Sequence, residues 1–564
     1  MWQHNYEPIT GSLGLSALVA AIPIVVLFIM LGALRKPAWM SAVAALASAL
    51  VVSLVAYGMP VQLALTSTLY GAAYGMFPIA WIVFASIMLY RIAVDTGKFE
   101  IIKDSVGGLT DDRRLQAMFI AFSFGAFIEG AAGFGAPVAV SGAMLAGLGF
   151  SPFYAAGICL LANTAPVAFG SIGIPVVTLA NVTGLPLLPV SAMVGRLCAM
   201  ISVIIPGYLI VVMTGWRKAL EVLPAIVACG VSFAGMQLYV SNFMGPELTD
   251  IMSSLTCIIV MVAVLKLWKP KNIVRLEGDK PASITLSKHT PGEIFMAWVP
   301  YLLLVAFVLA WGDPDIKFRL NHWADQWIPS SVPTLPENPR QALRLMVPGL
   351  HNQIIQMPPV VTKPTPYAAP FELNWLTASG SACFLAILAT ALVLRVRPSR
   401  LAVAYVETLK QLKFALLTIA SMLGLAYLMN YSGMTSTLGL ALAGTGKAFP
   451  FFSAFVGWLG VFLTGSDTSA NALFGNLQVI TANQIGLNPV LTASVNSAAG
   501  VMGKMISLAS IAVACAATGL TSEDEGKLFR FTFKHSIFLA CVVGIVAMLF
   551  AYVVPGLVPV VPPK

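Results

Sequence analysis

Apolar runs long enough to cross a bilayer decide the class of this chain before any motif is considered. Residues 13–34, 38–57, 71–94, 191–214, 294–311 and 536–558 each read as an almost unbroken hydrophobic stretch. Each is near the roughly 20 residues that a helix needs to cross a hydrocarbon core. The whole 564-residue chain agrees, with 58% hydrophobic and only 10% charged residues, against about 25% charged in soluble domains. A polytopic all-α membrane protein follows, and soluble enzymes and binding modules are excluded.

The formal charge of +9 comes from Lys and Arg gathered between the spans. In a membrane protein this pattern reports orientation, not nucleic-acid binding. Basic groups occur at Arg35–Lys36, at Arg91, Lys98, Lys103, Arg113 and Arg114, and at Arg217–Lys218. Others are Lys266, Lys269, Lys271, Arg275, Lys280 and Lys288, then Arg395, Arg397, Arg400, Lys410 and Lys413, and finally Lys527, Arg530 and Lys534. All should face the cytoplasm. The uncharged connection at 184–190 and the Pro-rich stretch 312–373, expected to form a structured cap, then lie outside, as do both termini. The N-terminal "MWQHNYEPITGSLGLS" has no basic residue ahead of its apolar run and reads as the lead-in to an uncleaved span.

Crossing parity fails if every apolar segment is one span. Residues 115–150 and 153–183 are each too long and each interrupted, at "IEGAAGFGAP" and at "NTAPVAFGSIGIP". A re-entrant hairpin with its tip at 129–135, followed by a broken helix unwound around 163–173, restores the alternation. The C-terminal half repeats the pattern. Segment 450–486 breaks at "TGSDTSAN" and should be a second hairpin; segment 489–519 breaks at "NSAAGVMGKMIS" and should be a second broken helix. "GAFIEG" lies over "GVFLTG", and "NTAPVAFGS" over "NSAAGVMGK", at nearly equal offsets. Span 71–93 should run inward and its counterpart 412–430 outward. The expected organisation is therefore one transporter domain of about 12 crossings plus two hairpins and two broken helices, in inverted repeats at 71–214 and 412–558. The connecting spans occupy 215–311. Such repeats mark secondary transporters, and irregular backbone at membrane depth is tolerated only beside protein or a water-filled cavity.

Three ionisable residues fall in the breaks: Glu129, Asp467 and Lys504. A charge at membrane depth is costly and is kept only when paired, neutralised or used. The plain structural reading is an Asp467–Lys504 ion pair holding the second hairpin to the second broken helix. The functional reading gives Lys504, with nearby helix N-termini, the task of attracting an anionic substrate group. Glu129 or Asp467 would then carry a coupling proton, since desolvation favours a neutral carboxyl. Candidate neutral site residues are Asn163, Thr164, Ser171, Ser466, Thr468, Ser469, Asn471, Asn496, Ser497 and Ser507. For any single hydroxyl, a bond to its own helix backbone is an even alternative. Asn163 and Asn496, at matching repeat positions, stand out. Tyr74 and Tyr431 on the counterpart spans read as packing residues.

Other chemistry finds no footing. The seven Cys are scattered without a CxxC, and the five His (4, 289, 322, 351, 535) read as loop or span-end residues, so neither metal ligands nor disulfides are expected. "GAAGFGAP" has no preceding strand and is not a nucleotide loop. The "NVT" sequon at 181–183 is a coincidence in a bacterial host. Neither cofactor nor nucleic-acid partner is expected, and nothing argues for a particular oligomeric state. An enzyme would need a nucleophile–base pair or metal ligands, and a receptor a soluble signalling domain.

Four stretches, "FGAFIEGAAGFGAPVAV", "LLANTAPVAFGSIGIP", "SNFMGPELTDIMSSL" and "GWLGVFLTGSDTSANALFG", together resemble the bacterial lactate permease family, in order and from end to end of the chain. The resemblance implies uptake of L-lactate, D-lactate and glycolate through the inner membrane in symport with protons. It also implies membership of a wider ion-transporter superfamily built on paired hairpins and broken helices. A sodium-coupled carboxylate symporter of the same fold is the alternative. The chain departs from the family at one place. "GKMIS" is usually followed there by Pro-Gln, whereas Leu508 and Ala509 follow it here, so the resemblance implies one polar group fewer at that point.

Overall fold

The computed structural model describes residues 1–107, 109–133, 135–276, 287–325 and 343–560. Lys280, Phe134 at the expected hairpin tip and residues 326–342 of the expected cap lie outside the described residues. Among those described, ten helices are long and apolar enough to cross a membrane, or twelve if each of two bent helix pairs counts as one span. The chain is a multi-pass helical membrane protein.

The helices repeat in order. Trp81–Asp95 leads to the short helix Lys98–Gly107 and then to two helical limbs, 113–131 and Ala136–Gly147, that turn back on one another. Next come Pro152–Ala162 and Val167–Thr183, bent by 63°, and the long helix Leu187–Thr214. In the second half, Pro398–Ser432 leads to the short helix Met434–Ala443 and then to the limbs Phe449–Thr464 and Asp467–Gln484. Pro489–Lys504 and Leu508–Thr518, bent by 40°, and Ser522–Tyr552 complete the series.

Several boundaries differ from expectation. The span expected at 71–94 belongs to a helical run, Val61–Asp95, kinked at Phe77–Pro78. The last span begins at Ser522, not 536, so Lys527, Arg530 and Lys534 lie on a helix, and so do Lys410 and Lys413 on Pro398–Ser432. These helices continue past their apolar runs with charges on exposed turns, which a search for apolar runs truncates. His535, expected at a span end, sits well inside the last helix, half-buried with its Nδ1 2.5 Å from the Tyr208 hydroxyl. The breaks in the second half are tighter than expected. Only Gly465 and Ser466 separate the hairpin limbs, so Asp467 to Asn471 form the first turns of a helix. Asn496 and Ser497 are likewise helical, the break being confined to 505–507.

Arg113 and Arg114, expected as solvated loop charges, are both buried. The Arg114 guanidinium donates to Asp112 (2.8 Å) and Glu221 (2.9 Å). It also donates to the carbonyls of Lys218 (2.7 Å) and Asn272 (2.8 Å). Five N–H donors on a planar fork suit such a junction of three segments, and it anchors the start of the first hairpin to both neighbouring loops.

The opposite end carries a small strand cap, the one departure from an all-α chain among the described residues. Trp2–Gln3 pairs in parallel with Ile354–Gln356, which pairs antiparallel with Thr365–Pro366; Leu343–Met346 pairs antiparallel with Pro370–Leu373. The Tyr70 and Tyr74 hydroxyls donate to the Pro370 carbonyl (2.5 and 3.2 Å) and that of Tyr431 to the Ala368 carbonyl (2.7 Å). Tyr74 and Tyr431 thus hold the cap on the bundle.

His4 closes the cap. Its Nε2 lies 2.9 Å from the Tyr431 carbonyl and its Nδ1 3.3 Å from the Tyr6 hydroxyl. A neutral ring with Nε2 as donor satisfies both contacts. Burial pushes its pKa from 6.5 down to about 4, opposed only in part by the Tyr431 carbonyl. The detached strand therefore binds a proton that the docked strand excludes, so docking gains stability as pH rises. That stabilisation is complete above pH 6.5 and declines as pH falls toward 4, by up to about 3 kcal/mol. Hydrogen-exchange protection of residues 2–6, relative to the intrinsic exchange rate at each pH, should fall below pH 5, and His4→Gln should abolish that fall. Equal protection at pH 4 and 7 would refute this.

Candidate functional site

Both hairpins and both bent pairs meet around one cavity of about 250 Å³. Its walls include Glu129, Gly135, Val167, Gly170, Ser171, Ile174 and Pro175 from the first half, and Thr464 to Ser469, Lys504, Ala509, Ser510 and Val513 from the second. Ala38, close to Arg35–Lys36, and Ala415, Thr418 and Ile419 complete the lining. The cavity therefore reaches toward the end of the bundle that carries the basic loops, away from the strand cap.

Local sequence explains the shape. Gly133 (φ +62°) and Gly135 (φ +83°) turn the first hairpin. Ser171, Ile172 and Gly173 all take left-handed backbone (φ +46°, +61° and +72°). For a β-branched residue such as Ile172 that conformation is strained. The Ser171 hydroxyl donates to the Ala132 carbonyl (2.8 Å), tying this bend to the hairpin tip. In the second half Ser466 caps the helix Asp467–Gln484, accepting from the Ser469 N–H, and Ser507 caps Leu508–Thr518 through the Ser510 N–H. Two helix N-termini thus stand at the cavity wall, and their unsatisfied N–H groups favour negative charge there.

The charged groups are arranged differently from the simplest expectation. Lys504 does not pair with Asp467. Its Nζ donates to Glu129 Oε1 at 3.2 Å, joining the two halves of the chain, with side-chain exposures of 13% and 3%. Asp467 is held instead by Ser497 Oγ (2.6 Å) and Asn471 Nδ2 (3.2 Å), both on Oδ2. Glu129 Oε2 and Asp467 Oδ1 are buried without a hydrogen-bond partner among the described residues. Glycines make room for both carboxylates. A Cβ on Gly170 would lie 2.5 Å from Glu129 Oε1, and one on Gly500 would lie 2.7 Å from Asp467 Oδ1.

The sequence-nominated residues divide into three groups, with Ser507 apart from all of them. Glu129, Ser171, Ser466, Asp467, Thr468, Ser469 and Lys504 line the cavity. Asn471, Asn496 and Ser497 are buried behind Asp467. There Asn496 donates to Asn471 Oδ1 (2.9 Å) and accepts from Gln478 (3.1 Å). Asn163 and Thr164 border a narrow crevice beside Lys504, Met505 and Ser510. Thr164 bonds back to the Leu161 carbonyl, while Asn163 Oδ1 is unpartnered among the described residues. Ser507 acts as a cap and bonds Ser510. Matching repeat positions therefore do not give Asn163 and Asn496 matching surroundings, since one ends a helix at a break and the other lies inside one.

Sequence reasoning missed Asp250. It is 1% exposed and neither carboxylate oxygen has a partner among the described residues. It opens the apolar helix Thr249–Leu267, and an acidic residue heading a span was the signal available. No group of three His, Cys, Asp or Glu that could hold a metal occurs among the described residues.

This chain is similar throughout to known transporters. The family model described as L-lactate permease matches residues 16–554. An L-lactate permease of Bacillus subtilis is 48% identical over 573 residues, covering 99% of this chain and all of the relative. An L-lactate permease of Escherichia coli is 45% identical over 566 residues, with 99% and 100% covered. The glycolate permease GlcA of Escherichia coli is 44% identical over 568 residues, with 99% of each chain covered. On that match, which spans nearly every residue, the chain belongs to the L-lactate permease family, a family of membrane transporters and not of enzymes.

Proposed function

We propose that this protein takes up lactate, in either enantiomer, and glycolate across the bacterial inner membrane in symport with protons. The observation that carries the reading is the imbalance of charge at the cavity: buried carboxyl groups of Glu129, Asp467 and Asp250 gather around a single lysine, Lys504. That group tolerates an added anion only if protons enter with it.

In this reading the loops at Arg35–Lys36 and its counterparts face the cytoplasm and the strand cap faces out, with both termini. The two limb pairs are then re-entrant hairpins, the bent pairs are broken helices, and the two series of elements run in opposite senses, as inverted repeats do. The substrate carboxylate displaces Glu129 from Lys504 and lies against the helix N-termini at Ser466 and Ser507. Ser171, Ser469 and Ser510 offer hydroxyls to the substrate 2-hydroxyl, and Val167, Ile174 and Val513 face its small apolar end. Protonation of the displaced Glu129, or of Asp467, leaves the loaded core without excess charge.

Purified protein in liposomes tests this. An inwardly directed proton gradient, acid outside, with equal Na⁺ on both sides should drive lactate and glycolate accumulation. Acetate, which lacks the hydroxyl, should compete at least about tenfold more weakly, since a site built to bond a hydroxyl rejects the analogue that lacks it. Accumulation that follows a Na⁺ gradient and ignores pH would overturn the proton reading in favour of sodium coupling.

A further inference from the structure

Asp250 belongs to neither hairpin and to neither bent pair, yet both of its carboxylate oxygens are buried without a partner among the described residues. The turn before it is packed tightly into the core. A Cβ on Gly130 would lie 2.7 Å from Asp250 Cβ, and one on Gly173 would lie 2.7 Å from Pro246. Gly130 is the neighbour of Glu129, so Asp250 packs against the same short helix that carries Glu129 of the Glu129–Lys504 pair. An acidic residue in the first turn of a helix ordinarily accepts N–H bonds from that turn. Asp250 accepts none: Oδ1 and Oδ2 are both buried and unpartnered among the described residues. A bare carboxylate so placed would cost several kcal/mol, and such a group takes a proton instead.

Position supplies the direction. Glu247, one turn earlier and only half-buried, accepts from the Ser379 hydroxyl at 3.0 Å. Ser379 begins the helix that leaves the strand cap. The cavity lies on the other side of Glu129, toward Arg35–Lys36. Glu247, Asp250 and Glu129 therefore form a series from the cap side of the bundle to the cavity. The ionisable groups around Asp250 are Glu129 on the first hairpin, Lys504 on the second bent pair, the Cys198 thiol on Leu187–Thr214 and Glu247 on its own approach.

We propose that Asp250 is the relay through which the coupling proton reaches Glu129 from the side of the strand cap. The proposal rests on the proton-symport reading. Once the substrate carboxylate takes Lys504, the released Glu129 side chain swings into hydrogen-bond reach of Asp250, which as the neutral acid transfers its proton to the Glu129 carboxylate. The resulting Asp250 carboxylate regains a proton from the side of Glu247. One O–H bond breaks and one forms at each step, and no other reactant is needed. Asp250 does not touch the substrate in this scheme.

Two measurements on Asp250→Asn in liposomes test the relay. The first is the ratio of pH-driven lactate accumulation to lactate–lactate exchange, which needs no net proton movement. This ratio should fall at least about 100-fold, the lower end of what a positioned proton-transfer group contributes. The second is the lactate-induced infrared difference spectrum, which should show a protonated-carboxyl band in the wild type that is missing from Asp250→Asn. A ratio within about twofold of wild type, or a band that persists, overturns the relay. Because an amide closely matches a neutral acid in size, Asp250→Asn should fold. Failure of both it and Asp250→Ser to fold would show a charged structural role and would also overturn the proposal. If the wild type itself does not accumulate lactate under a pH gradient, the symport reading fails. The infrared band then still decides whether Asp250 holds a proton.

Discussion

Lys504→Ala is expected to reduce lactate uptake by at least about 100-fold, the largest loss at any single cavity residue. It removes the cation that would meet the substrate and leaves Glu129 buried without its partner, and breaking a buried pair in this way costs roughly 3–5 kcal/mol. Part of that cost is structural, so Lys504→Met is best compared with the double variant Lys504→Met/Glu129→Gln. The neutral double variant should recover thermal stability close to wild type, because replacing both partners of a buried pair is often nearly neutral. It should recover no transport. Uptake that returned with stability would make the Glu129–Lys504 contact (3.2 Å) a brace between the halves of the chain and nothing more.

The second large effect is one of packing. Gly457 lies on the first limb of the second hairpin, and a Cβ there would stand 2.1 Å from the Asn496 backbone carbonyl on the neighbouring bent pair. Gly503 faces back in the same way, its Cβ falling 2.3 Å from the Trp458 carbonyl. Small residues that let helix backbones touch are a principal source of helix association in membranes. Backbone cannot step aside as a flexible side chain can. Gly457→Val should therefore cost about 3 kcal/mol or more, at or beyond the upper end for overpacked cores. The readout is a lowered melting temperature in detergent and loss of monodisperse protein. Gly14→Val, where a Cβ meets nothing within 4 Å, should leave both unchanged. A Gly457→Val protein as stable as Gly14→Val would show that the hairpin limb and bent pair separate easily.

How much of the site could be read in advance depended on the kind of signal involved. Glu129, Asp467 and Lys504 were legible because charge inside apolar sequence is rare and expensive. Their partners were not. Asp467 and Lys504 are closer in sequence to each other than either is to Glu129, yet Lys504 reaches across to Glu129 and Asp467 turns to Ser497 and Asn471. Hydroxyl and amide residues were harder still. A serine near a break reads the same whether it lines a cavity, as Ser469 does, or caps a helix outside it, as Ser507 does. Asn496 looked like a site residue from its repeat position, but a neighbouring Gln478 and Asn471 bury it in a polar network behind the cavity.

Sequence alone determined that this chain is a multi-pass helical membrane protein, and it located the interruptions at 163–173 and 496–507 where the two bent helix pairs occur. Hydrophobic length, the cost of buried charge and the restrictions on Gly and Pro backbone all act locally or along the chain. The tertiary structure decided which carboxylate meets Lys504, which polar residues face the cavity, and that Asp250, from a connecting helix, packs against the short helix that carries Glu129. Those outcomes depend on side-chain directions and on sub-ångström clearances at Gly130, Gly170 and Gly500. Such clearances exist only once separate helices are packed together.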